Sequence, residues 1–206
     1  MIKTTAMLIS ELPGYVNPKA KIGRMVDEGV LFPIIRGFYE DQKDTPAHYL
    51  AGCIYGPSYI SFEFALAYYG LLDKKSWPAV TSAAFGKRKE KSHETMFGVF
   101  TYRDIPKKAF PKELVLHTEN GYSFIMASPE KALCDELYKV SPAANLKELR
   151  ARMFDEIGIG KRKINRLDPV VLYDLADLYG CRNLHLLKSF LRKKYGPIDQ
   201  SDREEL

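Results

Sequence analysis

The first forty residues constrain this chain's fold more than any other stretch. Asn17-Pro18 marks a helix start, because Asn accepts hydrogen bonds from the first free amides and the fixed φ of Pro suits the first helical position. Gly29, followed by β-formers, ends that helix. Ile22, Met25 and Val26 share one face by i, i+3, i+4 spacing, and Ala20, Lys21, Gly23 and Arg24 lie largely away from it. Gly23 inside a helix costs about 1 kcal/mol against Ala, which asks for close approach to another surface, such as a DNA groove. Upstream, Thr5 to Leu12 reads as a short first helix and Pro13-Gly14 as a turn. Downstream, Val30 to Ile35 and Gly37-Phe38-Tyr39 read as two short strands meeting at Arg36-Gly37. Two helices and a two-stranded wing with a cation at its tip predict a winged helix-turn-helix DNA-binding domain over residues 1–44. Such units also serve as protein-docking modules, and residues 1–45 hold six basic and six acidic residues, so the DNA reading rests on where the cations sit.

The remaining residues, 45–206, read as a second domain, mixed α/β over 45–140 and helical over 141–206. Gln42 to Pro46 is polar and Pro-terminated, which places the boundary there. Helices are expected over Ala47–Ile54 and, capped by Ser61, over Phe62–Tyr69, with Gly56-Pro57 as a turn between them. Phe62, Leu66 and Tyr69 repeat at core-packing intervals. Strands are expected at Ala79–Ala84, at Glu94–Ile105 with a break at Gly98, and at Leu114–His117 and Tyr122–Met126 around the hairpin signal Asn120-Gly121. Ser128-Pro129-Glu130 combines a cap, a first-turn proline and an acid at the positive end of the helix dipole, so a helix follows to about Lys139. Helices over Leu146–Glu156, from Asp168-Pro169 to Gly180 and over Asn183–Tyr195 complete the chain, with Gly158 to Lys163 as a flexible basic loop. The expected fold class is α+β, with antiparallel strands in the mixed segment.

Composition excludes several classes. The start of the chain carries no secretory signal pattern, and no apolar run approaches the ~18 residues that cross a bilayer. Cys53, Cys134 and Cys181 are odd in number and far apart, as expected of reduced thiols in a cytoplasmic protein. Neither they nor the four histidines reach metal-ligand spacing, so no metal or cofactor is expected. Net charge is +5, and residues 161–194 alone hold nine basic and three acidic residues. That surplus suits a polyanion, although a solvated helix face explains such runs equally. The tail beyond Asp199 is acidic and reads as frayed.

Enzyme chemistry finds no foothold. A metal-dependent nuclease core wants Glu-x-Lys beside an Asp, and no Glu-x-Lys occurs. Asp41-x-Lys43 and Asp73-x-Lys75 fall in expected loops. No phosphate loop, nucleophile elbow or zinc-protease motif is present, so no catalytic residue is assigned. Lys87, Arg88, Lys89 and Lys91 form a basic loop between strands that reads either as a phosphate clamp beside the winged helix or as a solvated hairpin tip. The tyrosines at 55, 59, 68 and 69 read as packing residues.

A string of ordered blocks resembles the AbiEi-like antitoxins of type IV toxin–antitoxin, or abortive infection, systems. It comprises Tyr15 to Ile22, Arg36 to Glu40, Ile54 to Glu63, Ala67 to Leu71, Thr81-Ser82-Ala83, Lys87 to Lys91, Glu94 to Gly98, Phe100 to Pro106 and Ala127 to Asp135, most of residues 1–138. The resemblance implies a bacterial antitoxin that represses transcription of its own operon through the N-terminal domain. It also implies that the antitoxin counters a nucleotidyltransferase-like toxin without a stable complex, the C-terminal part carrying antitoxicity and helping to bind DNA. On this reading the partner is double-stranded operator DNA, bound by two copies if the operator is an inverted repeat. Lys19, Lys21 and Arg24 would meet the major groove, Arg36 the backbone or minor groove, and Lys87, Arg88, Lys89 and Lys91 further phosphates. The alternative is a module that neutralises a partner protein by direct binding, with no sequence-specific DNA role.

Overall fold

The computed structural model describes residues 1–72, 78–86 and 89–198. Asn17 behaves as its chemistry requires: its Oδ1 accepts from the Ala20 amide at 3.1 Å, and Pro18 opens α2 (Pro18–Asp27). Before it stand β1 (Lys3–Thr4) and α1 (Thr5–Ser10), and after it β2 (Phe32–Ile35) and β3 (Phe38–Glu40). β1 is two residues long and left no sequence signal, yet it pairs with β3 to complete an antiparallel sheet in the order β1-β3-β2. Gly29 ends α2 at φ +70° and Gly37 turns β2 into β3 at φ +89°, conformations that favour a residue without Cβ. Leu8, Ile22 and Leu31 form a small core of their own. At roughly 1.5–3 kcal/mol per buried side chain, three such residues fall far short of ordering forty others at roughly 1 kcal/mol each. The unit therefore leans on the rest of the chain: Ile2, Ile35 and Phe38 pack against the large core, and the buried Glu40 accepts from the Tyr122 hydroxyl at 2.9 Å.

The large core surrounds a six-stranded sheet in the order β6-β7-β5-β4-β9-β8. Its strands are β4 (Ser58–Ile60), β5 (Ala79–Ala84), β6 (Lys91–Thr95), β7 (Gly98–Asp104), β8 (Leu114–Glu119) and β9 (Tyr122–Ala127). The pairs β6–β7 and β8–β9 are antiparallel, as expected, and so is β4–β5, whose first strand the sequence does not announce, but β5–β7 and β4–β9 run parallel, so the sheet is mixed. Hairpins declare themselves through their turns, here Asn120 at φ +49° and Gly121 at φ +81°, the geometry of a type I′ turn. Parallel neighbours need long crossovers whose pairing is set by tertiary packing, and sequence carries no local mark of it. The basic loop after Gly86 likewise is not a hairpin tip, because β7 lies between β5 and β6.

A short 3₁₀ turn at Ala47–Leu50 leads into α3 (Ala51–Ile54). Gly56-Pro57 is a cis peptide that opens directly into β4, a strand too short to show alternation. Ser61 then departs from its expected role. It makes no cap on α4 (Phe62–Tyr68), because its hydroxyl donates instead to Asp135 Oδ2 at 2.7 Å. Phe62, fully buried, takes φ +56° at this turn, a conformation worth roughly 1–3 kcal/mol of strain in a non-glycine residue. Thr81 holds the turn: its hydroxyl donates to the Ser61 carbonyl at 2.7 Å and accepts from the Phe64 amide at 3.0 Å.

Ser128 caps α5 (Pro129–Lys139) by accepting from the Lys131 amide. α6 (Leu146–Ala151) passes into a π-helical turn at Arg152–Glu156, where a regular helix was expected. Residues 158–163, expected as a flexible basic loop, make contacts with the rest of the fold: Ile159 is buried, the Gly160 amide donates to the Leu71 carbonyl, and Lys163 Nζ donates to the Leu72 carbonyl at 2.7 Å. A 3₁₀ turn (Lys163–Arg166), α7 (Pro169–Ala176), capped by Asp168, and α8 (Arg182–Tyr195) follow. The fold is thus α+β, and no helix among the described residues is long and apolar enough to cross a membrane.

Candidate nucleic-acid interface

The N-terminal unit exposes three cations. Lys19 and Arg24 are exposed on α2, and Arg36 is exposed at the turn between β2 and β3. Among the described residues none of the three has a carboxylate partner. Gly23 lies between them on α2 with nothing within 4 Å of where a Cβ would sit, so no contact inside the chain demands a glycine there. Lys21 is different. Its Nζ stands 5.9 Å from the centre of the Tyr15 ring and 3.9 Å from Glu28 Oε2, so its charge is partly engaged. Tyr15 and Val16, in the turn between α1 and α2, are exposed apolar residues on the same unit. Sequence placed them in the family string but held no signal of their exposure.

Lys89, in the bend before β6, and Lys91, at the start of that strand, are both exposed. Lys91 opens β6, the edge strand, opposite Tyr102. Lys87 and Arg88 lie outside the described residues, as do Asp73 and Lys75 of the Asp-x-Lys pattern.

A second constellation is buried. Asp135 Oδ1 accepts from Lys131 Nζ at 2.7 Å and from the Tyr179 hydroxyl at 2.6 Å. Its Oδ2 accepts from the Ser61 and Tyr59 hydroxyls, at 2.7 and 2.9 Å. The Lys131 ammonium also lies 4.8 Å from the Tyr179 ring centre and 5.5 Å from that of Tyr59. Burial pushes both tyrosine hydroxyls far above their ordinary range, so they stay protonated and donate. Every carboxylate lone pair is used and neither charged residue touches solvent, so the cluster joins β4 and the residue after it, α5 and the turn that follows α7 as a structural clamp. Its sequence signal is a Lys–Asp pair at i, i+4 on a helix that carries five charged residues in eleven, and the tertiary structure alone shows that pair to be fully enclosed.

Beside it, Arg103 Nη1 binds Glu63 Oε2 at 2.8 Å and lies 3.7 Å from Glu136 Oε2. Burial, with Glu63 close by, raises the Glu136 carboxyl to about 8. Among the described residues no group of three or more His, Cys, Asp or Glu side chains is arranged to hold a metal ion.

No protein-family model matches the chain, and no curated protein matches it. Among solved structures, the RV2827C protein from Mycobacterium tuberculosis is similar, with a TM-score of 0.50 over 96% of this chain and 78% of that one at 13% identity. At that identity the likeness speaks to the fold alone.

Proposed function

We propose that this protein is a DNA-binding antitoxin of a type IV toxin–antitoxin system and a transcriptional autorepressor, its N-terminal unit acting as a winged helix-turn-helix. The observation that carries the DNA reading is the exposed set Lys19, Arg24 and Arg36 on one small unit, two on α2 and one at the hairpin tip, none with a carboxylate partner among the described residues. α2 would lie in the major groove of operator DNA, and Arg36 would reach the backbone or minor groove from the wing. Exposed Lys89 and Lys91, with Lys87 and Arg88, would add phosphate contacts that carry affinity without sequence information. The antitoxin role, acting in the cytoplasm against a nucleotidyltransferase-like toxin without a stable complex, rests on the resemblance of the sequence blocks.

The testing experiment is a salt-dependent titration of the purified protein on DNA from just upstream of its own gene, against scrambled DNA. Tighter binding to the upstream DNA with a steep salt slope supports the repressor. Equal, weak binding to both sinks it. Exposed Tyr15 and Val16 favour one second reading, a docking face for a partner protein. Co-purification of a stable complex with the product of the neighbouring gene would select that reading.

A further inference from the structure

α6, the π-helical turn after it, the pinned loop at 158–163 and α8 leave a groove between them. It consists of two adjoining depressions of about 500 and 420 Å³ that share Arg150, Phe154, Lys161, Phe190 and Lys193. Phe154 and Phe190 form the floor, their ring centres 6.5 Å apart. Arg150 and Lys194 stand over Phe190, each 6.0 Å from its ring centre. Lys147 extends the basic rim at one end and Lys194 at the other, and Asp155 is the single carboxylate in the lining.

The charge pattern is selective. Neighbouring cations are neutralised, Arg152 by Glu156 and Lys188 by Asp177. The rim cations at 147, 150, 161, 193 and 194 form no ion pair among the described residues. Lys194 Nζ instead donates to Asn165 Oδ1. Five like charges converging on an aromatic floor repel one another, and that arrangement is relieved by a ligand that brings several negative charges together with flat, stackable rings. Duplex DNA offers phosphates but keeps its bases stacked inside. A single strand offers both, because its bases are free to stack on aromatic side chains while its phosphates meet the cations.

We propose that the α6–α8 groove binds single-stranded nucleic acid, a base stacking against half-buried Phe154 on the floor it shares with Phe190, and phosphates meeting Arg150, Lys161 and Lys193. This surface is separate from α2 and the β2–β3 turn, and the proposal stands independently of operator binding.

The test uses the full chain and fluorescence anisotropy, with labelled oligouridylate, oligothymidylate and a blunt DNA duplex of equal length over a salt series. Arg150→Glu with Lys193→Glu reverses the rim. Lys107→Glu with Lys108→Glu, at exposed positions before β8, makes the same charge change elsewhere. Phe154→Leu removes the stacking ring and keeps an apolar side chain. Thermal melting confirms that each variant is folded. The expected result is single-strand binding that depends on the groove, whereas binding of the duplex, which α2 would carry, does not. Single-strand binding should fall about tenfold or more in the rim variant and no more than about twofold in the control. Phe154→Leu should weaken single-strand binding several-fold with an unchanged salt slope. Preference for oligouridylate or oligothymidylate identifies RNA or DNA as the source, and either supports the groove. Duplex binding that falls with the rim reversal as much as single-strand binding, indifference of single-strand binding to that reversal, or polyglutamate binding as tightly as the oligonucleotides would overturn the proposal.

Discussion

Lys131 and Asp135 sit one turn apart on α5, both without solvent exposure, and their charged atoms meet at 2.7 Å. The pair is tolerated because the carboxylate is satisfied on both oxygens by Tyr59 and Ser61 from one segment and Tyr179 from a distant one. Removing one partner strands the other charge in the interior, at a cost of roughly 3–5 kcal/mol. Lys131→Met should therefore lower the urea midpoint strongly. Asp135→Leu should lower it as much or more, since three hydroxyls lose their acceptor. The double variant should be destabilised by at least about 1 kcal/mol less than the sum of the singles, because it buries no lone charge. Strict additivity would show that the pair is not coupled.

Glu136 gives the protein a pH dependence of definite sign. Burial near Glu63 holds its carboxyl at about 8 in the folded protein, above the ordinary carboxylate range of the unfolded chain. Between those two limits the folded state holds a proton that the unfolded state has released, so this group's contribution falls as pH rises and is most unfavourable above about 8. Glu136→Gln, which stays neutral, should come close to the parent near pH 5 and exceed it by roughly 3–5 kcal/mol near pH 9. Urea titrations of both proteins at several pH values read this directly. A parallel pH dependence in the two would refute the assignment.

Asn183 ties the end of α5 to the start of α8. Its Oδ1 accepts from the Ala143 amide at 2.8 Å, and its Nδ2 faces the carbonyls of Leu137, Val140 and Ser141 at 2.9, 3.2 and 3.3 Å. Asn183→Ala leaves that amide and those carbonyls without their side-chain partner in a buried site. A loss of roughly 2–3 kcal/mol is expected. Protection of the Ala143 amide from hydrogen exchange should drop with it, and retention of that protection would argue against the staple.

On DNA, the three cations of α2 should separate. Lys19→Ala and Arg24→Ala should each weaken operator binding several-fold and reduce the salt slope by about 1. Lys21→Ala should do less, because its ammonium already faces Tyr15 and Glu28. Anisotropy titrations at several salt concentrations check the ranking, and a Lys21→Ala effect larger than that of Arg24→Ala would overturn it.

Lys89→Ala with Lys91→Ala addresses whether the edge of the large sheet meets the same duplex. If it does, affinity for operator and scrambled DNA should fall together, with the ratio between them unchanged. A changed ratio would mean that these lysines read bases.

Much of the fold was written in short stretches of sequence. Asn17, Ser128 and Asp168 cap their helices through amides two or three residues away. Asn120-Gly121 turns β8 into β9, and Gly29 and Gly37 bend the N-terminal unit where a side chain would be strained. These interactions close within a few residues, so the order of amino acids suffices to determine them. What only the tertiary structure decided involves groups far apart in the chain. The Ser61 hydroxyl had a local cap to make and instead meets Asp135, 74 positions away, because a buried carboxylate is a stronger acceptor need than one free helix amide. β4 is three residues long and gains its identity from β5 and β9 on either side. Arg150 and Lys193 read as two charges on two separate helices until α6 packs against α8 and places both on one aromatic floor.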